Sequence, residues 1–396
     1  MKVLQINSTC GYGSTGKIAV DLYKTLLDKG HDCVIAYGRY SAPDVKTIKI
    51  GGKLNNYIHV FETRLFDNHG LSSRMATEKL IRQISDYGPD IINLHNVHGY
   101  YINYKILFKY LKKIDKPVVW TLHDCWAFTG HCAHFDYVNC DKWEEICHDC
   151  PQSKEYPKSL LADRSRKNFE IKKELFTSLK KVTLVTPSNW LAGLVKRSFL
   201  NVYPIKVINN GIDLNTFKPT SSDFRVKYDL QDKKVVLGVA NVWSERKGFD
   251  YLIKLSKMLD ETFKIIIVGL TPKQKDELPE NIIGITRTNS VDELVKIYSA
   301  ADIFVNPTLE DNFPTTNIEA LACGTPVVTF DSGGSAEMID ESCGYKVERG
   351  DLEGLGRAIN NIDKKDLSAA CTEMAAHFNK NDRYVEYLEL YKEVMI

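Results

Sequence analysis

The chain has 396 residues, of which 43% are hydrophobic and 26% are charged, and its formal net charge is +1. This is the composition of a globular protein, and the length exceeds that of one ordinary domain, so we expect two domains. The balanced charge argues against a general nucleic-acid binder, and no apolar run reaches the roughly 20 residues that cross a bilayer.

The chain begins with the pattern of a βαβ unit. Residues 3–6 indicate a strand, residues 10–17 a glycine-rich turn, and the following residues a helix that ends at Gly30 before a second strand at 33–36. Such a sequence of elements is typical of a parallel α/β sheet. The N-terminal residues contain no hydrophobic signal core, so we expect a cytoplasmic protein.

The glycine-rich turn also fits two other phosphate-binding motifs. Its glycines have the G-x-G-x-x-G spacing of a dinucleotide-binding turn, and Gly11-x4-Gly16-Lys17 is most of a P-loop. The P-loop needs Ser or Thr after the lysine, where this chain has Ile18, and the dinucleotide fold needs an acid after the second strand, where it has Tyr-Gly-Arg at 37–39. Both motifs are therefore disfavoured, although a P-loop-type phosphate-binding protein stays an alternative.

Two further strands end in histidines. Residues 91–94 precede His95 and His98, and residues 118–122 precede His123. Ligands of parallel sheets bind at the carboxyl ends of the strands, but a lone histidine is more often a hydrogen-bonded structural residue. We keep that structural interpretation for His95 and His98.

A segment rich in tyrosine and lysine follows the first of these strands. We predict a helix that carries Tyr100, Tyr101 and Tyr104 and then several lysines. Amphipathic rings beside cations suit anionic lipid headgroups, so this helix predicts a possible peripheral membrane contact. A solvated helix whose tyrosines pack in the core fits the pattern equally well.

Residues 125–150 hold five of the ten cysteines and have neither helical nor strand periodicity. Four of these, Cys132, Cys140, Cys147 and Cys150, are separated by seven, six and two residues. Zinc takes four thiolate or imidazole ligands in a tetrahedron, often from Cys-x-x-Cys pairs, so we predict a structural zinc ion here. The alternatives are disulfides, or replacement of one thiolate by a nearby histidine: His131, His134 or His148.

The second half of the chain repeats the α/β pattern. Residues 235–240 form a continuous apolar run, typical of a strand that is buried on both faces, and a polar loop follows at 241–248. Residues 303–330 then indicate a strand, an acidic turn, a helix that ends at Gly324, and a second strand. Polar residues at a strand's carboxyl end and at a helix N-terminus suit a phosphate ligand.

Asp311 and Glu319 frame this acidic turn and helix start, with seven residues between them. Together with the sequence EALACGTPVV at 319–328, they resemble the retaining glycosyltransferases of family 4. Three other segments match as well: TLHD at 121–124, TPSNW at 186–190 and VINNGID at 207–213. The resemblance implies the α/β GT-B fold, with two Rossmann-like domains that face a cleft and a C-terminal helix that returns to the first domain.

The same resemblance implies a function. It predicts transfer of a sugar from a nucleotide-sugar donor to a saccharide or lipid-linked saccharide acceptor, with retained configuration, in polysaccharide biosynthesis. Some family members from capsule and exopolysaccharide clusters have a similar cysteine-rich insertion, which supports a real site at 125–151 without naming the metal. A GT-B nucleotide-sugar epimerase, which acts without an acceptor, stays an alternative.

The resemblance also carries roles to individual residues. It predicts four catalytic residues: His123, Arg246, Lys247 and Asp311. It predicts further donor-binding residues: Gly13, Gly16, Asn241, Arg287, Asn312, Phe313, Thr315, Thr316 and Glu319. Asp311 is expected to contact the donor sugar and Glu319 the ribose. Two alternatives remain open here, since Glu310 could replace Asp311, and Thr316-x-x-Glu319 is also a capping box.

No Asp-x-Asp pair is present to hold a catalytic metal. Arg246, Lys247 and the helix N-terminus are therefore expected to neutralise the diphosphate. We place the acceptor-side domain at 1–205, the nucleotide-sugar-binding domain at 206–375, and the returning helix at 376–396.

Overall fold

The computed structural model describes all 396 residues, which form two compact units. The first unit contains Met1–Asn209 and Arg383–Ile396, and the second contains Asn210–Asp382. None of the helices is both long enough and apolar enough to span a membrane.

The first unit is a seven-stranded parallel sheet with helices on both faces. Its strands are β1 (Lys2–Thr9), β2 (Asp32–Arg39), β3 (Thr47–Lys49), β4 (Ile91–Leu94), β5 (Val118–Thr121), β6 (Val182–Thr186) and β7 (Ile205–Val207). Its helices are α1 (Gly13–Asp28), α2 (Lys53–Phe66), α3 (Arg74–Tyr87), α4 (Tyr104–Ile114), α5 (Ser165–Phe176) and α6 (Asn189–Arg197).

The second unit is a six-stranded parallel sheet of the same kind. Its strands are β8 (Lys234–Val239), β9 (Phe263–Val268), β10 (Ile282–Ile285), β11 (Ile303–Asn306), β12 (Val327–Phe330) and β13 (Gly344–Val347). Its helices are α7 (Phe224–Lys227), α8 (Phe249–Met258), α9 (Pro272–Asp276), α10 (Val291–Ala300), α11 (Thr315–Ala322), α12 (Leu352–Asn361) and α13 (Lys364–Ala376).

The first six strands of the first sheet have the same order as the six strands of the second sheet. The order is β3-β2-β1-β4-β5-β6-β7 in the first unit and β10-β9-β8-β11-β12-β13 in the second. Successive residues of one strand enter different cores: Val235 and Leu237 pack on one face of the second sheet, and Val236 packs on the other. Both faces are therefore covered, which explains why these strands are continuous apolar runs.

The last helix, α14 (Lys380–Met395), packs its carboxyl-terminal part onto the first unit. Tyr391 donates a hydrogen bond to Asn93 Oδ1 at 3.0 Å, and the Tyr387 hydroxyl lies 3.2 Å from Thr121 Oγ1. Both tyrosine rings are buried. The predicted return of the C-terminal helix to the first domain is confirmed.

The tyrosine-rich segment differs from the prediction. The helix starts only at Tyr104, and Tyr101 and Tyr104 are completely buried. Tyr101 donates to Asn96 O at 2.7 Å. The helix predicted over all three tyrosines is therefore wrong, and the alternative in which the tyrosines pack in the core is supported for Tyr101 and Tyr104, while Tyr100 is partly exposed.

Candidate active site

The loops that follow β8 and β11 lie side by side at the point where the strand order of the second sheet reverses. These two strands are neighbours, but β8 connects to β9 on one side and β11 connects to β12 on the other. Open α/β sheets bind ligands at the carboxyl ends of the two strands at this point, because the diverging loops leave a crevice there.

Side chains from the two loops meet at this edge. Lys247 Nζ forms an ion pair with Asp311 Oδ2, and Arg246 Nη1 donates to the backbone oxygen of Glu310 at 2.5 Å. The backbone of Leu309 donates to Arg246 O at 2.8 Å. The structure thus brings together three residues that the sequence predicted as catalytic: Arg246, Lys247 and Asp311.

Glycines permit this close approach of the two loops. Gly248 has φ +74°, and a Cβ there would lie 1.9 Å from Pro307 O. Behind the acidic turn, Gly333 has φ +60°, and a Cβ there would lie 2.1 Å from Asp311 O, which also accepts the Gly334 N–H at 2.8 Å. Any larger residue at either position would push the loops apart.

The two adjacent acids have different environments. Glu310 is fully buried, whereas the Asp311 side chain is 16% exposed and reaches Lys247. Burial lowers the pKa of Lys247, and repulsion from Arg246 acts in the same direction, while the Asp311 carboxylate opposes both. The Asp311 carboxylate is therefore the main neighbour that keeps this ammonium charged.

Helix α11 points its N-terminus toward the same edge of the sheet. The residue before it is Pro314, and no side chain caps its first turn. Thr315 and Thr316, predicted to bind the diphosphate, are its first two residues and are partly exposed. The free N–H groups of this turn, with the positive end of the helix dipole, suit an anion.

Glu319 does not cap this helix. Because α11 begins at Thr315, Thr316 lies inside the helix, and the Glu319 Oε2 atom instead accepts the Tyr298 hydroxyl at 3.0 Å. The capping-box alternative is therefore wrong. Tyr298 is completely buried, so it holds the Glu319 carboxylate against α10.

A buried polar network fixes α11 on the sheet. Asn306 Nδ2 donates to Asn317 Oδ1 at 2.8 Å, Asn317 Nδ2 donates to Ser335 O at 2.9 Å, and Ser335 Oγ lies 2.7 Å from Thr329 Oγ1. All four residues are buried. The sequence analysis missed this network, although a polar residue at the end of each apolar strand was a visible signal.

The remaining predicted donor-binding residues of this unit lie in different places. Asn241 is exposed and follows β8, but Arg287 follows β10, two strands away from β8 in the sheet. Asn312 is buried, and Phe313 packs against Phe378 with ring centroids 5.6 Å apart. Phe313 therefore belongs to the core below the loop, and Arg287 is not brought next to Lys247.

In the first unit, the turn between β1 and α1 is shorter than a P-loop. Helix α1 begins at Gly13, so Lys17 is already helical and exposed. Gly16 is buried, and a Cβ there would lie 2.7 Å from Thr9 Oγ1. Close packing against β1 is enough to require a glycine at position 16. The early start of α1 argues against the P-loop alternative.

His123 follows β5 and ends a row of hydrogen bonds. His95 Nε2 lies 3.0 Å from Gln5 Oε1, and His95 Nδ1 lies 3.0 Å from His123 Nε2. Burial lowers the pKa of His123 to about 4, so its ring is neutral near pH 7. His95 is hydrogen-bonded within the fold, as expected, and so is His98, which lies 2.9 Å from the Tyr156 hydroxyl and 3.0 Å from Asp124 Oδ2.

The cysteine-rich segment contains only short 3-10 turns, and all ten cysteines of the chain are free. Cys132, Cys140, Cys147 and Cys150 line one small cavity, so the spacing did identify four neighbouring thiols. However, no group of three or more His, Cys, Asp or Glu side chains is arranged so that it could hold a metal ion. The predicted zinc site is therefore not supported by the placement of these side chains.

Backbone N–H groups and a buried lysine lie beside the four thiols, although burial raises the pKa values of Cys140 and Cys147 and so favours their thiol forms. The Gly130 N–H donates to Cys147 Sγ at 3.2 Å, and the backbone N–H groups of Lys142 and Gln152 interact with Cys140 and Cys150. Lys172 is fully buried near Cys147, and its Nζ donates to two backbone oxygens. Burial lowers the pKa of Lys172 to about 7, an effect that nearby thiolates oppose.

Comparison with known proteins gives matches over both units. Residues 15–216, half of the chain, match the family model described as Glycosyltransferase Family 4, and residues 233–364 match the model described as Glycosyl transferases group 1. Over 366 residues the chain is 25% identical to the colanic acid biosynthesis glycosyl transferase WcaC of Escherichia coli (strain K12), a match that covers 88% of this chain and 87% of WcaC.

Solved structures match over nearly the whole chain. Sucrose-phosphate synthase from Thermosynechococcus elongatus superimposes with a TM-score of 0.75 at 17% identity and covers 100% of this chain and 99% of that one. Anabaena HepE in complex with UDP-glucose gives a TM-score of 0.67 at 17% identity and covers 98% and 99%. These likenesses, with the two parallel-sheet units, confirm the predicted GT-B fold.

Proposed function

Because the chain belongs to glycosyltransferase family 4, we propose that it moves a sugar from a nucleotide-sugar to a saccharide acceptor with retention of configuration and without a catalytic metal. The similarity to WcaC supports a role in polysaccharide biosynthesis. The likeness to HepE, which was solved with UDP-glucose, supports a uridine diphosphate sugar as the first donor to test.

The observation that carries this proposal is the meeting of Lys247, Arg246 and Asp311 beside the N-terminus of α11. Departure of a nucleoside diphosphate builds negative charge on its phosphate oxygens. Two cations and free backbone N–H groups, held in place before the reaction, stabilise that charge most in the transition state. Arginine and lysine thus supply the charge that a divalent metal supplies in other transferases.

The proposed step needs no covalent sugar–enzyme intermediate. The bond from the anomeric carbon to the diphosphate oxygen breaks, and the acceptor hydroxyl oxygen bonds to the same face of the sugar. The acceptor proton passes to an oxygen of the leaving diphosphate, which balances the step. Lys247 exchanges its contact with Asp311 for the diphosphate, and the Asp311 carboxylate then accepts hydrogen bonds from the sugar hydroxyls.

The ribose is proposed to bind at Glu319. Its Oε2 accepts the Tyr298 hydroxyl, which orients the carboxylate. A carboxylate that accepts two ribose hydroxyls binds substrate and product nucleotide alike, so it contributes to affinity more than to rate. His123, Gly13, Gly16, Asn241 and Arg287 keep their roles as predictions from the family resemblance.

A structural zinc ion at Cys132, Cys140, Cys147 and Cys150 stays a proposal. What supports it is that the four thiols line one cavity with N–H donors and Lys172 beside them, and a bound zinc ion would itself favour their thiolate forms. Bound there, zinc would hold the segment together and supply no chemistry to the reaction. A lipid-linked acceptor and a location on the inner face of the cytoplasmic membrane are likewise proposals.

The test begins with a thermal-shift screen of nucleotide-sugars, since a ligand that binds only the folded protein raises the melting temperature. The donor found is then incubated with candidate acceptors, and nucleoside diphosphate and product anomer are measured. We expect diphosphate release that depends on acceptor and a product with the donor's anomeric configuration, and magnesium chelation should change neither.

Three results would overturn parts of this proposal. Conversion of the donor into another sugar nucleotide without an acceptor would identify an epimerase. An inverted product would exclude retention. Magnesium-dependent ATP hydrolysis that is lost in Lys17→Ala would favour the P-loop alternative.

A further inference from the structure

Helix α2 (Lys53–Phe66) exposes an apolar face to solvent. Leu54, Tyr57, Ile58 and Phe61 are 73%, 71%, 49% and 60% exposed. Their spacing of three, one and three residues places them on one side of the helix. Four adjacent large apolar side chains on an open surface differ from the isolated exposed ones that every protein has.

The face of α2 that contacts the protein is polar instead. Only His59 and Thr63 are buried in this helix. His59 Nδ1 lies 2.8 Å from Ser73 Oγ, and its Nε2 accepts the Gly70 N–H at 3.0 Å. Asn55 Nδ2 also donates to Ser73 Oγ at 3.0 Å. An ordinary surface helix turns its apolar face toward the core. In α2 the polar face contacts the protein, and these hydrogen bonds keep the apolar face exposed to solvent.

Neighbouring segments add to this surface. Met75, at the start of α3, is 84% exposed, and Ala76 beside it lies next to Gly51, two residues before α2. The backbone N–H of Leu160 donates to Arg64 O at 2.7 Å, and Leu161 is 78% exposed. We define the α2 surface by its apolar residues: Leu54, Tyr57, Ile58, Phe61, Met75 and Leu161.

The exposed charges of α2 itself are all positive, whereas exposed acids, Glu78 and Asp163, follow Met75 and Leu161 at the margin of the surface. Between residues 53 and 75 the exposed charged side chains are Lys53, Arg64 and Arg74. Asp67 is buried, and Glu62 is partly buried and accepts the Ser72 hydroxyl. Lys53 and Arg64 are about three turns apart on α2 and therefore lie along the same edge of its apolar face.

We propose that the α2 surface docks on an anionic lipid bilayer, with α2 lying in the plane of the interface. Leucine, isoleucine and aromatic side chains enter the boundary between headgroups and acyl chains, and lysine and arginine at the edge contact lipid phosphates. Tyrosine is enriched at this depth of a membrane because its ring is apolar and its hydroxyl is polar.

The charges favour lipid over a second copy of the chain. In a symmetric dimer built on α2, Lys53 and Arg64 of both copies would gather at one interface, and α2 offers no exposed acid to pair with them. An anionic membrane supplies both the apolar layer and the opposite charge.

Vesicle co-sedimentation tests the proposal with the full-length protein and no donor, so it is independent of the transfer reaction. The vesicles contain phosphatidylcholine alone or with phosphatidylglycerol. We expect binding that needs phosphatidylglycerol and weakens as salt rises. The double variant Ile58→Glu, Phe61→Glu should bind at least about tenfold more weakly, because each side chain loses a transfer free energy worth about that factor.

Controls separate docking from folding. Ile58 and Phe61 are already exposed, so the double variant should keep the circular dichroism and melting temperature of the parent. Val226 and Met258 are exposed apolar residues of the second unit, and Val226→Glu, Met258→Glu should bind vesicles like the parent. The charge variant Lys53→Glu, Arg64→Glu should lose the dependence on phosphatidylglycerol.

Two outcomes contradict the proposal. One is vesicle binding that is absent, or equal in the parent and in Ile58→Glu, Phe61→Glu. The other is a dimer in light scattering, without lipid, that the same substitutions dissociate, which would make a second copy of the chain the occupant of the α2 surface.

Discussion

The ion pair between Lys247 and Asp311 joins residues from two loops that only the sheet brings together. Both side chains are largely shielded from water, so separating them without a replacement partner is costly. A diphosphate supplies that replacement for the lysine, and sugar hydroxyls supply it for the aspartate. The ion pair therefore keeps both side chains in place before the donor binds, and contacts with the donor replace it afterwards.

Lys247→Ala should lower kcat by about two orders of magnitude, because one preorganised charge at the leaving group is removed. The KM for donor should change less. Steady-state rates with the donor found by screening measure both constants. Lys257→Ala, which removes an exposed lysine from the end of α8, is the matched control and should keep the parent rate. A loss of less than threefold in Lys247→Ala would contradict the role given to this cation.

Asp311→Asn and Glu319→Gln should affect different constants. Asp311→Asn should lose activity while nucleoside diphosphate still binds with the parent affinity. Glu319→Gln should weaken nucleoside diphosphate binding, since a ribose contact acts on ground and transition states alike. Calorimetric titration of both variants with nucleoside diphosphate measures the difference, and equal losses of affinity would contradict this division of roles.

At the scale of single residues, the sequence predicted the charged residues of the site better than it predicted the buried hydrogen bonds that position them. Lys247 was expected at the donor phosphates and Asp311 at the donor sugar, because both positions match the family pattern. Asn306, Asn317 and Ser335 were not predicted to bond to one another, because hydrogen-bond partners depend on which strands are neighbours. Phe313 was placed in the donor site from its position in the acidic turn, but its ring packs in the core.

The elements of the two sheets were largely predictable, and the helices beside them less so. Strands buried on both faces are continuous apolar runs, which is why β4 was predicted with its observed bounds. The short strands β3 and β13 lack such runs. Helix α2 was not predicted, and its periodicity could indicate a helix but not that the apolar face is exposed.

The cysteine-rich segment should carry about one zinc per chain after purification under reducing conditions. Cys140→Ser should lose that metal, and chelation should lower the melting temperature of the parent, because ordering of the segment and metal binding are one equilibrium. Elemental analysis and thermal unfolding measure these effects. Cys125→Ala, in the same segment but outside the set, should keep the metal.

A protein that contains no zinc, with disulfides among Cys132, Cys140, Cys147 and Cys150 by mass spectrometry, would contradict that prediction. The sequence could predict that these thiols are neighbours, because the Cys-x-x-Cys pair is local. It could not predict Lys172, which comes from α5 and is buried beside Cys147. A buried ammonium needs a counter-charge, and thiolates would supply it.

At the scale of the whole molecule, buried histidines make the first unit sensitive to acid. Burial lowers the pKa of His59 to about 3 and that of His123 to about 4, and it lowers the pKa values of His69 and His95 well below the usual range. The unfolded chain binds protons at these groups near pH 6.5 and the folded chain does not, so their stabilising contribution is present above pH 6.5 and is lost as pH falls toward 4.

Urea unfolding at pH 7 and at pH 5 measures this dependence. The free energy of unfolding of the first unit should fall as pH falls, by up to about 1.4 kcal/mol per pH unit for each such histidine. His123→Gln should reduce the slope by roughly one histidine's share. Carboxylates whose pKa values are lowered, such as Asp124, take up protons only below this range of pH and so do not contribute to the change. A free energy of unfolding that stays constant from pH 6.5 to pH 5 would contradict the neutral state of these rings.

The central claim is that the nucleotide-sugar donor binds at the carboxyl ends of β8 and β11. A crystal structure with the nucleoside diphosphate that most raises the melting temperature tests it directly. We expect phosphate oxygens within hydrogen-bond distance of Lys247 Nζ and of the first-turn N–H groups of α11, and ribose hydroxyls at the Glu319 carboxylate. A nucleotide bound instead at the glycine-rich turn before α1, with the Lys247–Asp311 ion pair still closed, would contradict the claim.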